Sequence, residues 1–470
     1  MAAIENKKRE RKKAMKEKEV TLVEEQGHVL TLDYRLEDKP PIALAIILGF
    51  QNIITAFGGI VAVPLIIAGF AGLGVADSAY LVSAALFCSG LVSIIQSRGI
   101  FKKPVRIGSG YPTIMGTDFG FVSPAYTIIA PVSAGGMGGG MAGYFGASIL
   151  GAIMEIVLSY FVKPLLKFFP PVVTGTVITL IGVTLMPVAF DWVGGGYGAA
   201  DYGSLENVLI AFLVFFIAVI LNRYGKGLLS NAAILIAMVV GYVVCIPLGK
   251  VDFQAVAQAP WFEFPQLFRY GVDFNPKFVI PFLAGYFVTV IETVGVVQSI
   301  GNMCQNKATE EDIANGVRAD GFGSMISPIF GSGPVATFSQ NAGLIPLTKN
   351  ASRHVAIIAG VLLMGISLFP KLATVVSIMP PAVLGGAGIL MFGTVASAGI
   401  QSLSEVKFTT RNLLIIAAGI GIGLGVTMRP EIVAGLPEIP KAVFSSGISA
   451  GTVFAFLLNI ILREEKTTQA

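Results

Sequence analysis

Apolar residues run through this chain in long blocks from Pro41 to Leu462, with polar residues gathered mainly between the blocks. A helix rises about 1.5 Å per residue, so crossing about 30 Å of hydrocarbon takes about 20 apolar residues. On that measure the pattern predicts about fourteen spans, centred near Asn52, Leu86, Phe119, Leu150, Ile181, Phe215, Met238, Val288, Ser324, Gln340, Val361, Leu390, Ile420 and Phe454. Several blocks are short or broken by glycine and proline. An even number of spans returns both termini to the same side.

Composition agrees with the pattern: 54% of the 470 residues are hydrophobic and 13% charged, about half the charged share of a soluble domain. A polytopic membrane protein is therefore expected. The net charge of +4 is concentrated in Lys7-Lys8-Arg9-Glu10-Arg11-Lys12-Lys13, which reads as a solvated basic tail and not as a nucleic-acid surface. No apolar segment of signal-peptide type stands behind that tail, so no cleavable signal is expected. Cys88, Cys245 and Cys304 form no CxxC and no metal-ligand spacing, so neither disulfide, metal nor cofactor is expected.

The short loops set an orientation. With the N-terminus inside, inner loops collect Arg98, Lys102, Lys103 and Arg106, then Lys163 and Lys167, Arg223 and Lys226, Lys349 and Arg353, Lys407 and Arg411, and Arg463. Outer loops hold Asp191, Asp201, Glu206, Asp252, Glu263, Asp273, Glu431 and Glu438 with few cations, as the positive-inside rule requires. Both termini are expected in the cytoplasm, and the chain in the cell membrane.

The chain also repeats itself. Pro170-Pro171-Val172-Val173-Thr174-Gly175 is echoed by Pro380-Pro381-Ala382-Val383-Leu384-Gly385. Gly108-Ser109-Gly110 precedes Asp118-Phe119-Gly120 as Gly331-Ser332-Gly333 precedes Asn341-Ala342-Gly343, with the same spacing of ten residues. The two Pro-Pro pairs open spans from opposite sides, which predicts two inverted repeats of about seven spans each. This register sets Asp118 opposite Asn341 and Gly120 opposite Gly343, with polar tips facing, so that Asp118 is expected to be a second acid near the ligand that shares in proton coupling, a backbone cap being the alternative. In such architectures the broken segments bind substrate near the midplane, through half-helix ends and short extended stretches. Here they are Gly108 to Pro124 and Gly331 to Pro346.

Polar residues inside these segments are the candidate chemistry. A lone glycine serves close packing, but a glycine-rich break carrying Asp118 or Gln340-Asn341 reads as a site. Glu292 sits deep in the apolar run Phe287–Val297, where burial disfavours its charged form, and it is the leading proton-site candidate. Asp320 follows Arg318, so a local ion pair or a helix cap competes with a proton-coupling role. Glu155, within two turns of Lys163, reads as structural, and His354 beside Arg353 as a solvated loop residue. Phe119 could stack on a flat ring, although aromatics in membrane proteins mostly pack. No HExxH or nucleophile–base constellation suggests an enzyme.

These residues carry a resemblance. Gln340-Asn341-Ala342-Gly343-Leu344-Ile345-Pro346-Leu347-Thr348-Lys349 is similar to the signature of the nucleobase–ascorbate transporter (nucleobase:cation symporter-2) family, Gln/Glu-Asn-x-Gly, four residues, then Thr-Arg/Lys/Gly. Gly49-Phe50-Gln51-Asn52, Gly116-Thr117-Asp118-Phe119-Gly120, Glu292-Thr293-Val294-Gly295 and Asp320-Gly321 resemble four further family segments in order. The resemblance implies an all-α fold of about fourteen spans in two inverted repeats, divided into core and gate domains. A core would comprise residues 41–170 and 277–376, a gate 171–276 and 377–462, with cytoplasmic tails at 1–40 and 463–470. It also implies a homodimer, uptake of a nucleobase with a proton, Glu292, Gln340 and Gly343 at the base, and Phe119 stacking on it. Asp320 and Asn341 would organise the site, with Gln51, Asn52, Gly120, Gly295 and Thr348 supporting it. A carboxamide or protonated carboxyl offers a donor beside an acceptor, the complement of the N–H/C=O edge of an oxidised base. Gln340 resembles xanthine and urate carriers, whereas uracil carriers usually have Glu there. Asn52 for the usual His, Asp118 for an uncharged residue and Ala342 for a second Asn depart from the family pattern. A uracil permease, and an uncoupled or sodium-coupled transporter or anion exchanger of the same architecture, are the alternatives.

Overall fold

The structure is a computed structural model that describes residues 32–101, 105–134, 136–165 and 170–462. Most of the basic tail, the C-terminal tail from Arg463, and Lys102, Lys103 and Lys167 of the predicted inner loops lie outside the described residues. The chain is mostly helical, at 71%. The main elements in order are α1 (Ile42–Phe70), α2 (Val75–Arg98), β1 (Met115–Thr117), α3 (Val122–Ile129), α4 (Gly140–Ser159), α5 (Pro171–Thr184), α6 (Met186–Val193), α7 (Leu205–Tyr224) and α8 (Ala233–Cys245). There follow α9 (Pro276–Met303), α10 (Glu310–Ile326), β2 (Val335–Thr337), α11 (Leu344–Thr348), α12 (Arg353–Ser367), α13 (Pro370–Ser377), α14 (Pro381–Ser404), α15 (Thr410–Met428) and α16 (Gly447–Ile461).

Among the described residues eight helices are long and apolar enough to cross a membrane, or nine if α12 and α13, bent by 82° at their junction, count as one. This is fewer than the predicted spans, for physical reasons. The third and tenth apolar blocks fold as a short strand, a 3-10 turn and a short helix. α8 and α16 are shorter apolar helices, and α10 carries Glu310, Glu311, Asp312, Arg318 and Asp320. A multi-pass membrane protein follows from the long apolar helices; the count of fourteen and the inverted symmetry stay with the sequence.

The helices pack in two sets. α2 lies along α12 and α1, while α4 lies along α10 and α9. In the second set α14 packs on α5, α6, α7 and α8, and α15 on α16 and α5. α9, which lies along α4 in the first set, reaches the second through α16 and α5. Glycine brings backbones into contact at the tightest crossings. A Cβ on Gly90 would lie 2.4 Å from the Gly360 carbonyl oxygen, and one on Gly399 2.2 Å from the Thr179 nitrogen. Close backbone approach at small residues is how helices associate where lipid gives no hydrophobic drive.

Candidate functional site

An extended backbone inside a membrane must have every N–H and C=O met, because each orphan costs several kcal/mol. Here β1 and β2 satisfy one another as an antiparallel pair, with Met115 opposite Thr337, Gly116 opposite Ala336 and Thr117 opposite Val335. Two further bonds extend the ladder, Phe338 N–H to the Ile114 carbonyl at 2.9 Å and Asp118 N–H to the Pro334 carbonyl at 3.2 Å. Serines cover the outer edges. Ser93 Oγ accepts from Met115 N–H at 2.8 Å and Ser89 Oγ donates to the Met115 carbonyl. Ser324 Oγ accepts from Val335 N–H at 3.1 Å and donates to its carbonyl at 3.0 Å. Sequence reasoning missed these three; the available signal was Ser89 and Ser93, one turn apart inside an apolar helix.

Each strand leads into a 3-10 turn. Asp118 caps the turn Phe119–Phe121 by accepting from Gly120 N–H at 2.7 Å, and Thr289 of α9 donates to its other oxygen at 2.8 Å. Phe119 is buried edge-on against Phe392 of α14, with centroids 5.5 Å apart and planes at 78°. In the second turn, Ser339–Asn341, Asn341 Nδ2 donates to the Asn52 carbonyl at 2.9 Å and to Asn52 Oδ1 at 3.1 Å. Asn52 therefore holds Asn341 from α1, while among the described residues the buried Asn341 Oδ1 has no partner.

The predicted register is corrected at this point. Asp118 and Phe338 each cap a 3-10 turn, so strand order pairs Asp118 with Phe338 and Gly120 with Gln340. Asp118 is bonded to Gly120 and Thr289 and Asn341 to Asn52, so their polar tips do not meet. The chain from Gly110 to β1 is longer than that from Gly333 to β2, and this shifts one half against the other.

Asp320 is fully buried behind the strands. Its carboxylate accepts from Gln96 Nε2 at 3.0 Å, from Thr337 Oγ1 at 3.1 Å and from Thr293 Oγ1. Gln96 also accepts from Ser109 N–H at 2.9 Å, fastening α2 to the Gly-Ser-Gly turn. The competing Arg318–Asp320 ion pair does not form. Arg318 instead donates to Ser159 Oγ at 3.2 Å, the Arg106 carbonyl at 2.7 Å and Asn315 Oδ1 at 2.9 Å. Glu155 is fully buried, and among the described residues neither carboxyl oxygen has a partner. His354 lies in the first turn of α12 and is half-buried, not a loop residue.

The remaining predicted residues divide between an open face and the support behind it. Gln340, Gly343 and Gly295 are exposed and Glu292 is half-buried. A Cβ on Gly295 would meet nothing within 4 Å. α9 packs on α11 and β2, with Val294, Ala342 and Ile345 in one apolar cluster, and this carries Glu292 to the segment that bears Gln340. A small void lined by Val173, Thr174, Val177, Ile178, Val288, Ile291 and Thr452 adjoins it. Thr348 bonds back to the Leu344 carbonyl at 2.8 Å, and Gln51 is half-buried on α1 with its carbonyl accepting from Thr55. A larger cavity of about 620 Å³ between the start of α2 and residues 255–269 contains none of the predicted site residues. The open face thus presents one carboxyl and one carboxamide beside glycines, with no cation among the predicted site residues.

The permease family model Xan_ur_permease, described as "Permease family", matches residues 44–432. A Clostridium perfringens protein named as a purine permease is 48% identical over 439 residues, covering 93% of this chain and 95% of that one. The xanthine permease of Bacillus subtilis is 38% identical over 88% of this chain and 92% of its own length. The uric acid transporter UacT of Escherichia coli is 36% identical over 88% of this chain and 85% of its own length. In fold, the chain is similar to the transmembrane domain of the cyanobacterial bicarbonate transporter BicA, with a TM-score of 0.58 at 15% identity over 86% of this chain and all of that one. It is also similar to SLC26A9, with a TM-score of 0.57 at 10% identity over 90% of this chain and 66% of that one. By the family match and the identity to these permeases along nearly the whole chain, the protein belongs to the nucleobase:cation symporter-2 family of permeases and is a transporter, not an enzyme.

Proposed function

We propose that the protein takes up an oxidised purine, xanthine or urate, together with a proton across the cell membrane. The observation that carries this is the open face itself: the exposed carboxamide of Gln340 and the half-buried carboxyl of Glu292 on neighbouring elements, with Gly295 and Gly343 leaving space between side chains. A carboxamide and a neutral carboxyl each set a donor beside an acceptor, and together they match two N–H/C=O edges of one flat base. Glu292 accepts the co-transported proton; Gln340 selects the base. The names of the relatives, which include xanthine and uric acid permeases, support a purine over uracil.

Asp320 and Asn341 organise the site from behind, through Gln96, Thr293 and Thr337 and through Asn52 respectively. Asp118 serves the first turn as its cap. The set of α1–α4 and α9–α13 acts as the core that carries substrate, and the set of α5–α8 and α14–α16 as the gate. Alternating access is the rocking of one against the other, with a homodimer formed through the gate and both termini in the cytoplasm.

The test is uptake of radiolabelled xanthine, urate, hypoxanthine, guanine and uracil by cells expressing the protein, with and without a protonophore. Saturable xanthine or urate uptake abolished by the protonophore is expected. Uptake indifferent to the protonophore would overturn proton coupling, and preference for uracil would overturn the purine assignment.

A further inference from the structure

Outside the open face, α4 and α10 bury an acid, Glu155, and a cation, Arg318, that do not pair with one another. Glu155 is fully buried on α4 with both oxygens unpartnered among the described residues. Its surroundings are closed on three sides. One turn before it, Gly151 lies under the ring of Tyr286, with 2.4 Å between a Cβ there and Cε2. Beside it, Gly321 of α10 approaches the backbone so closely that a Cβ there would lie 3.0 Å from the Ile156 nitrogen and 3.2 Å from the Ala152 carbonyl. One turn after it, Ser159 Oγ accepts from Nε of Arg318 at 3.2 Å. Arg318 is itself 5% exposed, lies 4.2 Å over the ring of Tyr160, and bonds to neutral oxygens.

The titratable groups nearest Glu155 are Asp320 of α10 and Tyr286 of α9, while Arg318 of α10 reaches Ser159 one turn further along α4. Asp118, which Thr289 of α9 holds, also bears on Glu155 through its charge. Of the neighbouring acids Asp320 has donors from three side chains, which suits a carboxylate, and Glu155 has none. A bare carboxylate buried without donors is the costliest state available to it, so in this conformation Glu155 holds a proton.

We propose that Glu155 is a second proton-binding site of the transport cycle, with Arg318 as the counter-charge that takes the proton's place. In the conformation described, the guanidinium bonds Ser159, one turn along α4 from the neutral carboxyl. When Arg318 swings from Ser159 to Glu155, the O–H bond breaks, a carboxylate–guanidinium pair forms and the proton leaves. The exit lies towards the residue 105–110 turn, where Arg318 already bonds the Arg106 carbonyl. Net charge is conserved: one proton is released for one ion pair made. The inference rests on the proton-coupled transport proposed above and adds a site to it.

The test is the ratio of protons to substrate moved by purified full-length protein in proteoliposomes, read with an internal pH dye and radiolabelled xanthine or urate. Wild type is expected to move protons with substrate. Glu155→Gln, a neutral near-isostere, is expected to keep substrate-for-substrate exchange within about twofold while its proton-to-substrate ratio falls and the pH dependence of net uptake flattens. Glu155→Asp is expected to restore the ratio. If wild type moves protons and Glu155→Gln moves as many per substrate, the Glu155 site is overturned and the coupling stands. If wild type moves none, the coupling reading falls and takes this site with it. Should Glu155→Gln not fold, wild-type protein treated with a hydrophobic carbodiimide, which attacks protonated carboxyls in apolar surroundings, replaces it. Labelling of Glu155 that declines from acid to alkaline pH supports the site, and absence of label at every pH overturns it.

Discussion

At the scale of single residues, the site separates groups that face an open space from groups that hold those in place. Gln340 is exposed and offers a fixed donor and acceptor, so Gln340→Glu removes the donor whenever the acid is ionised. Loss of one such bond costs about 1–3 kcal/mol, so competition by purines should weaken roughly tenfold or more, with pyrimidines affected less. Unchanged purine competition in Gln340→Glu and Gln340→Ala membranes would remove Gln340 from the site. Glu292→Gln keeps a donor and an acceptor but cannot release a proton; it should bind and exchange substrate yet fail to accumulate it against a gradient. Accumulation that survives in this variant and still collapses with the protonophore would place the first proton elsewhere. Asp118 differs from both, because its oxygens are spent on Gly120 N–H and the Thr289 hydroxyl. Thr289 also lies 3.0 Å from the Gly285 carbonyl and has one proton to give. Asp118→Asn can cap with its oxygen and donate to Thr289 with its nitrogen, so expression and thermal stability in detergent should match wild type. Asp118→Ala loses the cap, worth about 1 kcal/mol, and should lower thermal stability in detergent.

At the scale of elements, the sequence told more about where the helices break than about how the breaks fit together. Glycine and proline interrupt two apolar blocks, and both interruptions are observed as strand, turn and short helix. Strands of three residues are too short to show a period of two, so neither their pairing nor their register could be read. Equal spacing from Gly-Ser-Gly to Asp118 and Asn341 suggested a register that unequal leads into β1 and β2 displace. The serines at the strand edges, and Gln96 on Asp320, escaped notice because single polar residues in apolar helices are common and their partners are far away in sequence. The slot for Phe338 was equally invisible. Its ring lies against Gly59 of α1 and Gly116 of β1, where a Cβ would come within 2.8 Å and 2.2 Å of ring carbons. Gly116→Ala must displace the ring or the strand, at about 1–3 kcal/mol for overpacking. Because β1 and β2 hold the two turns in register, this variant should lose uptake while Gly69→Ala, which meets nothing within 4 Å, retains it. Full uptake by Gly116→Ala would show that the strand pair tolerates movement.

At the scale of the whole molecule, composition and the positive-inside pattern were enough for a multi-pass membrane protein, because they record the solvent each segment meets. Division into two sets of helices is a matter of packing, and it is testable where the sets touch. Ser123 Oγ, at the start of α3, lies 3.1 Å from Ser446 Oγ, which caps α16. Nearby, Ser449 donates to the Pro281 carbonyl at 3.1 Å, and Phe119 rests on Phe392. If transport requires one set to rock against the other, these contacts must part during the cycle. A Ser123→Cys/Ser446→Cys pair would carry its sulfurs where hydroxyl oxygens now lie 3.1 Å apart, which suits disulfide formation. The native Cys88, Cys245 and Cys304 are all buried, which limits competing oxidation. Oxidising the double variant should therefore arrest uptake, and reduction should restore it, while each single variant transports under both conditions. Undiminished uptake by fully cross-linked protein would mean that this contact persists throughout the cycle and that the moving boundary lies elsewhere.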